Sequence, residues 1–199
     1  MIVALGSSLV LASFALGLAH AFDPDHLAAV SALAAEHPTW RRALRCAAHW
    51  ALGHGIAVLS LGLLLLVSPW GGALQGTYAD VVVAVSLIVL GLWTAWTGAR
   101  PPSPTTHWTS VTASAFGILH GTAGVATVLG LLGLTGASTT VGLASLLAFN
   151  AGVFAAMFAL ALGFGALYEN VARRSRWRTI VRIVIGGITM VVGVSMLRG

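Results

Sequence analysis

The sequence predicts an all-α polytopic membrane protein of about six transmembrane helices, arranged as a 3+3 inverted repeat with the first helix broken near Pro24. Three observations predict it. Apolar side chains make up 58% of the 199 residues and charged ones 8%, far below the roughly 25% charged fraction of ordinary soluble domains. Apolar stretches of about 20 residues, the length a helix needs to cross a bilayer, recur along the whole chain. The sequence also matches itself weakly when shifted by about 100 residues. One transmembrane domain is expected over 1–199, with repeat one at about 1–100 and repeat two at about 101–199.

The first span covers residues 2 to 36 or so. Met1 leads straight into Ile2 to Leu18 without the charged start or small-residue cleavage site of a secretory signal, so a retained helix is expected. Pro24 interrupts it: proline lacks a backbone donor, clashes with the preceding turn and pushes Asp23 out of the helical region. Asp23 then suits the N-cap and Pro24 the first position of a second half-helix reaching to about Glu36. Spans two and three are expected near 44 to 67 and 79 to 98, joined by the loop Ser68 to Thr77 with its Pro69, Gly71 and Gly72. A loop from Arg100 to His107, holding Pro101, Pro102 and Pro104, leads to spans near 110 to 134, 139 to 167 and 178 to 197.

The repeat sets Gly17-Leu18-Ala19-His20 on Gly117-Ile118-Leu119-His120, and Leu27-Ala28-Ala29-Val30 near Val125-Ala126-Thr127-Val128. Later spans follow: Leu52 to Ala57 falls on Phe149 to Phe154, making Asn150 the counterpart of Gly53, and Leu87 to Gly91 falls on Thr189 to Gly193. With three spans per copy the second copy crosses in the opposite sense, a plan in which transporters place their site near the midplane between the repeats. Arg41, Arg42 and Arg45, then Arg100, then Arg173, Arg174, Arg176 and Arg178 follow spans one, three and five. The positive-inside rule makes those loops cytoplasmic and both termini external, in the cell inner (cytoplasmic) membrane, with Arg198 as the one dissenter.

The same residues exclude several function classes. All ten cations are arginine against five acidic residues, an excess that on a membrane protein reflects topology and not nucleic-acid binding. A single cysteine, Cys46, permits no disulfide or paired-thiol chemistry and is expected to be a buried structural thiol. The chain lacks a Gly-x4-Gly-Lys-Ser/Thr loop for nucleotide hydrolysis and a His-Glu-x-x-His zinc motif, and seven histidines are too few for an eight-histidine diiron oxidase. No enzymatic activity is expected.

What remains is a cluster of polar groups inside the spans, where each ionisable side chain costs about 2.5 to 3.5 kcal/mol on insertion scales. His20, Asp23, Asp25 and His26 form the run His-Ala-Phe-Asp-Pro-Asp-His. On an unbroken helix Asp25 would stand about 140° and His26 about 240° around from His20, so the three could not meet on one ion. A break at Pro24 removes that obstacle, and broken helices at membrane depth are tolerated where they line a cavity. His49 and His54 in His-Trp-Ala-Leu-Gly-His-Gly, and His120 in Gly-Ile-Leu-His-Gly-Thr, lie on other spans. Imidazole with carboxylate and no thiolate suits a divalent first-row transition metal. The metal-ligand candidates are therefore His20, Asp25, His26, His54, His49, His120 and Asp23. A lone His49 or His120 also reads as a helix-to-helix hydrogen bonder, and Asp23 as a cap. His37 and His107 are expected to be solvated loop residues. Gly53, Gly55, Gly121, Gly124 and Gly152 are expected to serve close helix packing.

The run His20-Ala21-Phe22-Asp23-Pro24-Asp25-His26 resembles the His-x4-Asp-His signature of the nickel-cobalt transporter family and of its relatives called urease accessory protein H. Leu27-Ala28-Ala29-Val30 is similar to that motif's apolar continuation, Leu52-Gly53-His54-Gly55 to the family's second helix motif, and Gly117 to Thr122 sits where its glycine-rich later motif would be. The resemblance implies a permease for nickel(II) or cobalt(II), with the first motif's histidines and aspartate as ion ligands. Longer members have eight spans and an alanine where this chain has Pro24; the shorter count fits loss of a leading helix.

No permanently bound cofactor is expected, since nickel(II) or cobalt(II) would be the cargo. The expected partners are the metal ion and the lipid bilayer, with a homo-oligomer or metalloenzyme assembly proteins besides. Coordination needs neutral imidazoles, so binding should weaken as pH falls through roughly 6 to 6.5. Two other classes compete: a non-transporting factor delivering nickel to an enzyme such as urease, and a membrane metalloenzyme.

Overall fold

A computed structural model describes residues 2–37, 39–67, 77–100, 109–135 and 138–198. Among the described residues are seven helices: α1 (Ile2–His20), α2 (Pro24–Ala35), α3 (Trp40–Val67), α4 (Thr77–Gly98), α5 (Ser110–Thr135), α6 (Thr139–Ala172) and α7 (Ser175–Met196). Helices are what an apolar solvent demands, because each satisfies its backbone N–H and C=O groups within its own segment. Four of them are long and apolar enough to cross a bilayer, Trp40–Leu65, Ala79–Gly98, Thr139–Val171 and Arg176–Met196, and a fifth crossing is available if the bent pair Gly6–His20 and Pro24–Ala35 forms one span. The protein is therefore all-α and multi-pass. Most of the two proline-bearing loops, including His107, lies outside the described residues.

Helix edges depart from the expected ones where arginines flank a span. α3 begins at Trp40 and so takes in Arg41 and Arg42; α6 runs on to Ala172 and α7 begins at Ser175. Apolar length marks where lipid ends, whereas arginine is a good helix former and lets the helix continue into the interface.

The first span breaks as Pro24 dictates. The last turn of α1 tightens, with Phe22 N–H donating to Ala19 O at 2.9 Å and Asp23 N–H to His20 O at 3.0 Å. Asp23 is extended (φ −59°, ψ 146°), Pro24 opens α2, and Leu27 N–H donates to Asp23 O at 3.0 Å. The chain turns by 57° across the break.

Glycines set how the helices meet. A Cβ at Gly17 would strike the Phe149 carbonyl, and one at Gly152 the Phe14 carbonyl, so α1 and α6 cross backbone against backbone. Gly117 likewise abuts the Trp50 carbonyl and Gly53 the Ser114 carbonyl, which brings α3 and α5 together. The further contacts of Gly6 with Val141 and of Gly121 with Ala57 make each of these pairs parallel. On α4 and α7, Gly91 abuts Gly186 and Met190, and Gly193 abuts Ala84 and Ile88, an antiparallel pairing. α3 and α6 are antiparallel too, Gly62 lying against Leu146 and Gly165 against Ala43. Two residues before Gly152, Asn150 Nδ2 donates to Leu146 O at 2.9 Å within α6.

Among the described residues, Trp50 and Phe149 are the largest wholly buried side chains, while Leu11, Val111 and Val191 point outward, as a lipid-facing surface requires. Cys46 is a buried free thiol, as expected. His37, expected to be solvated, is instead 7% exposed, because it follows the buried end of α2. Beside it the Glu36 carboxylate pairs with the guanidinium of Arg182 on α7, and Thr97 of α4 donates to the same Glu36 oxygen at 3.1 Å. α2 is thus pinned at its far end to α4 and α7.

Candidate metal centre

The 57° bend between α1 and α2 brings His20, the last residue of α1, and His26, in the first turn of α2, ring to ring at 4.4 Å between centroids. α3 brings His54 against both, at 5.9 Å from the His20 ring and 5.3 Å from the His26 ring. One ring nitrogen from each of His20, His26 and His54 lies within 4.8 Å of the others, which makes the three a group able to hold a metal ion. All are buried: His26 is 1% and His54 0% exposed, and His20 9%.

Carboxylates orient two of these rings. His20 Nδ1–H donates to Asp23 Oδ2 at 2.7 Å, and His26 Nδ1 lies 3.2 Å from Asp25 Oδ1, within ion-pair distance though off axis for a hydrogen bond. An ionised carboxylate only accepts, so Asp23 holds the His20 ring proton on Nδ1 and leaves its Nε2 lone pair for a metal, the arrangement by which carboxylates fix metal-binding histidines, and the nearby charge of Asp25 favours the same tautomer of His26. Asp23 therefore stands at the N-cap position, but its side chain makes no capping bond and serves His20 instead. His20 Nε2 is buried with no partner, and His26 Nε2 faces His54 Nε2 at 3.4 Å. Two nitrogens sharing one ion at about 2.0–2.1 Å stand roughly 2.9 to 3.6 Å apart for bond angles from a right angle to 120°, so that separation fits a shared cation.

His120 joins the edge of the group. Its ring is 6.0 Å from His26, its Nδ1–H donates to Phe116 O at 3.0 Å, and its buried Nε2 has no partner. His49 does not take part; it is half-buried, and its carbonyl accepts from the Ser114 hydroxyl at 3.1 Å. Asp25 lies beside His26 with a side chain 14% exposed.

Three residues of the centre carry roles that sequence reasoning did not assign. Trp50 stacks on His54 at 5.5 Å and 26° and touches the rings of His26 and His120 as well. Phe149 covers His20 from α6 at 5.4 Å. Gly124 of α5 differs from the packing glycines: a Cβ there would meet His20 Nε2 at 3.1 Å and His54 Nε2 at 3.2 Å. For Trp50 the signal was available, since it lies four residues before His54 and so on the same helix face.

The family whose model matches the chain is described as HupE / UreJ protein, and the match runs over residues 3–197. The chain is also 25% identical over 206 residues to the urease accessory protein UreH of Bacillus sp. (strain TB-90), an alignment covering 96% of this chain and 90% of that protein. No solved structure matches it.

Proposed function

The chain belongs to the HupE / UreJ protein family, and on that premise we propose that it moves a divalent transition metal ion, nickel(II) or cobalt(II), across the membrane through the His20, His26 and His54 centre. Membership itself makes the protein a non-catalytic transporter or accessory factor. One observation carries the transport reading: three imidazoles from two sides of a broken helix and a neighbouring span converge, buried, with carboxylates behind two of them. A site built on a helix break inside a bundle can be reached from either side when the surrounding helices rock. His120 and Asp25 complete the ligand set as needed, and Asp23 acts from behind His20.

Six crossings in a 3+3 inverted repeat are part of the proposal. Exchange of α1, α3 and α4 for α5, α6 and α7 turns the parallel pair α1 with α6 into the parallel pair α5 with α3, and returns the antiparallel pair α4 with α7 to itself. The glycine contacts support this, since Gly17 on Phe149 mirrors Gly117 on Trp50, and Gly91 on Gly186 and Met190 mirrors Gly193 on Ala84 and Ile88. His20 and His120 are then counterparts. The arginine-bearing loops put both termini outside the cytoplasmic membrane.

A second reading, delivery of nickel to urease without transport, is favoured by the name of the Bacillus relative. Accumulation of radioactive nickel or cobalt in proteoliposomes separates the two. Metal-dependent uptake lost in His20→Ala and His26→Ala is expected. Intact protein that binds metal yet supports no flux would sink transport in favour of delivery.

A further inference from the structure

Resting on the metal reading of the centre, we propose that Gly124 determines which ion the protein accepts, by holding open a coordination position for water beside His20 and His54. The other glycines that face neighbouring helices exclude a side chain for reasons of packing. A Cβ at Gly17, Gly53, Gly117, Gly121 or Gly152 would run into a backbone carbonyl of the opposing helix. At Gly124 the three nearest atoms a Cβ would meet are all imidazole atoms: His20 Nε2 at 3.1 Å, His54 Nε2 at 3.2 Å and His54 Cε1 at 3.5 Å. Among the described residues no other glycine faces the ring atoms of the centre in this way. The absent side chain therefore clears space at the two nitrogens and does not bring two helices together.

The space has a chemical use. His20 Nε2 is buried and unpartnered, and it lies 3.1 Å from the point that a methyl group at position 124 would occupy. An ion held by the three histidines there has a free side facing the α5 backbone. With the buried, unpartnered Nε2 of His120 as the fourth protein ligand, a water on that side makes the site five-coordinate, away from the tetrahedral set that zinc favours. Selection among divalent first-row metals comes from geometry and not from raw affinity, so one added or deleted ligand position is an effective discriminator. A methyl at position 124 displaces that water and leaves a closed, four-coordinate site.

Cobalt(II) is the probe, bound to the full-length protein in detergent micelles, with its visible spectrum as the readout. The native protein is expected to give the weak bands of five- or six-coordinate cobalt, and Gly124→Ala the intense, red-shifted bands of a tetrahedral site. The ratio of zinc to cobalt affinity should rise about tenfold in the variant, about 1.4 kcal/mol. A Gly124→Ala protein with the native spectrum and the native zinc-to-cobalt ratio overturns the inference. If that variant does not fold, X-ray absorption at the nickel edge of the native protein decides: five or six light-atom ligands support the water position, and four overturn it. Absence of any cobalt band that depends on His20 would overturn the metal reading itself, and this inference with it.

Discussion

Asp23 begins a helix without capping it: its carboxylate turns back 2.7 Å to the ring of His20 and leaves the first N–H groups of α2 without a side-chain partner. Position in the chain and task in the structure are thus different things for this residue. Asp23→Asn should weaken nickel binding by about 10- to 100-fold, the usual cost of removing a carboxylate behind a metal-bound histidine. The loss of helix stability should be small, since no cap is lost. Nickel titration by calorimetry, with circular dichroism alongside, measures both; a large fall in helicity at unchanged affinity contradicts the assignment.

Histidines at similar depth should behave differently. His26→Ala and His54→Ala remove members of the converging group and should abolish measurable nickel binding. His120→Ala removes a ring at the edge, 6.0 Å from His26, and should weaken binding without abolishing it. His49→Ala should leave the affinity within about twofold, a change of no more than ~0.4 kcal/mol. A His49 effect equal to that of His54 would move the centre to another face of α3.

The glycine crossings predict steep steric costs. Gly17→Ala and Gly117→Ala each push a methyl group into an opposing carbonyl, at Phe149 and Trp50 respectively. Each should destabilise the bundle by about 1–3 kcal/mol, as overpacking does elsewhere. Gly163→Ala, where a Cβ would meet nothing, is the control and should be neutral. Thermal unfolding in detergent gives the comparison.

The buried pair of Glu36 and Arg182 predicts a strong coupling. Glu36→Gln or Arg182→Met alone leaves a charge in a site where the Glu36 side chain is 1% and the Arg182 side chain 13% exposed, and should cost about 3–5 kcal/mol. Making both changes should recover most of that loss. A double-mutant cycle by thermal unfolding reads the coupling; strictly additive losses would show that the two charges do not depend on each other.

The sequence announced most of this where the reason was local. Pro24 breaks the helix through its own ring, so the bend and the meeting of His20 with His26 could be read from neighbouring residues. Four of the expected spans, and the bent first one, were legible from apolar length. Features set by what faces a residue across the bundle were not. The helices are apolar nearly all round, so no stripe tells which side of α5 looks inward, and nothing in the order Gly-Val-Ala distinguishes Gly124 from a packing glycine. Arg182 and Glu36 lie 146 positions apart and meet only in the folded chain. A charge seven residues into α7 was the available clue.

The short half-helix α2 has a consequence that follows from its two ends. Its 12 residues make a rod about 18 Å long. Asp25 and His26 occupy one tip, and Glu36, held to Arg182 and Thr97, closes the other. Between them the Thr189 hydroxyl of α7 donates to Ala28 O at 3.3 Å, so α2 is held to α7 along its length as well as at its end, and the position of the His26 ring is tied to that of the α4 and α7 pair.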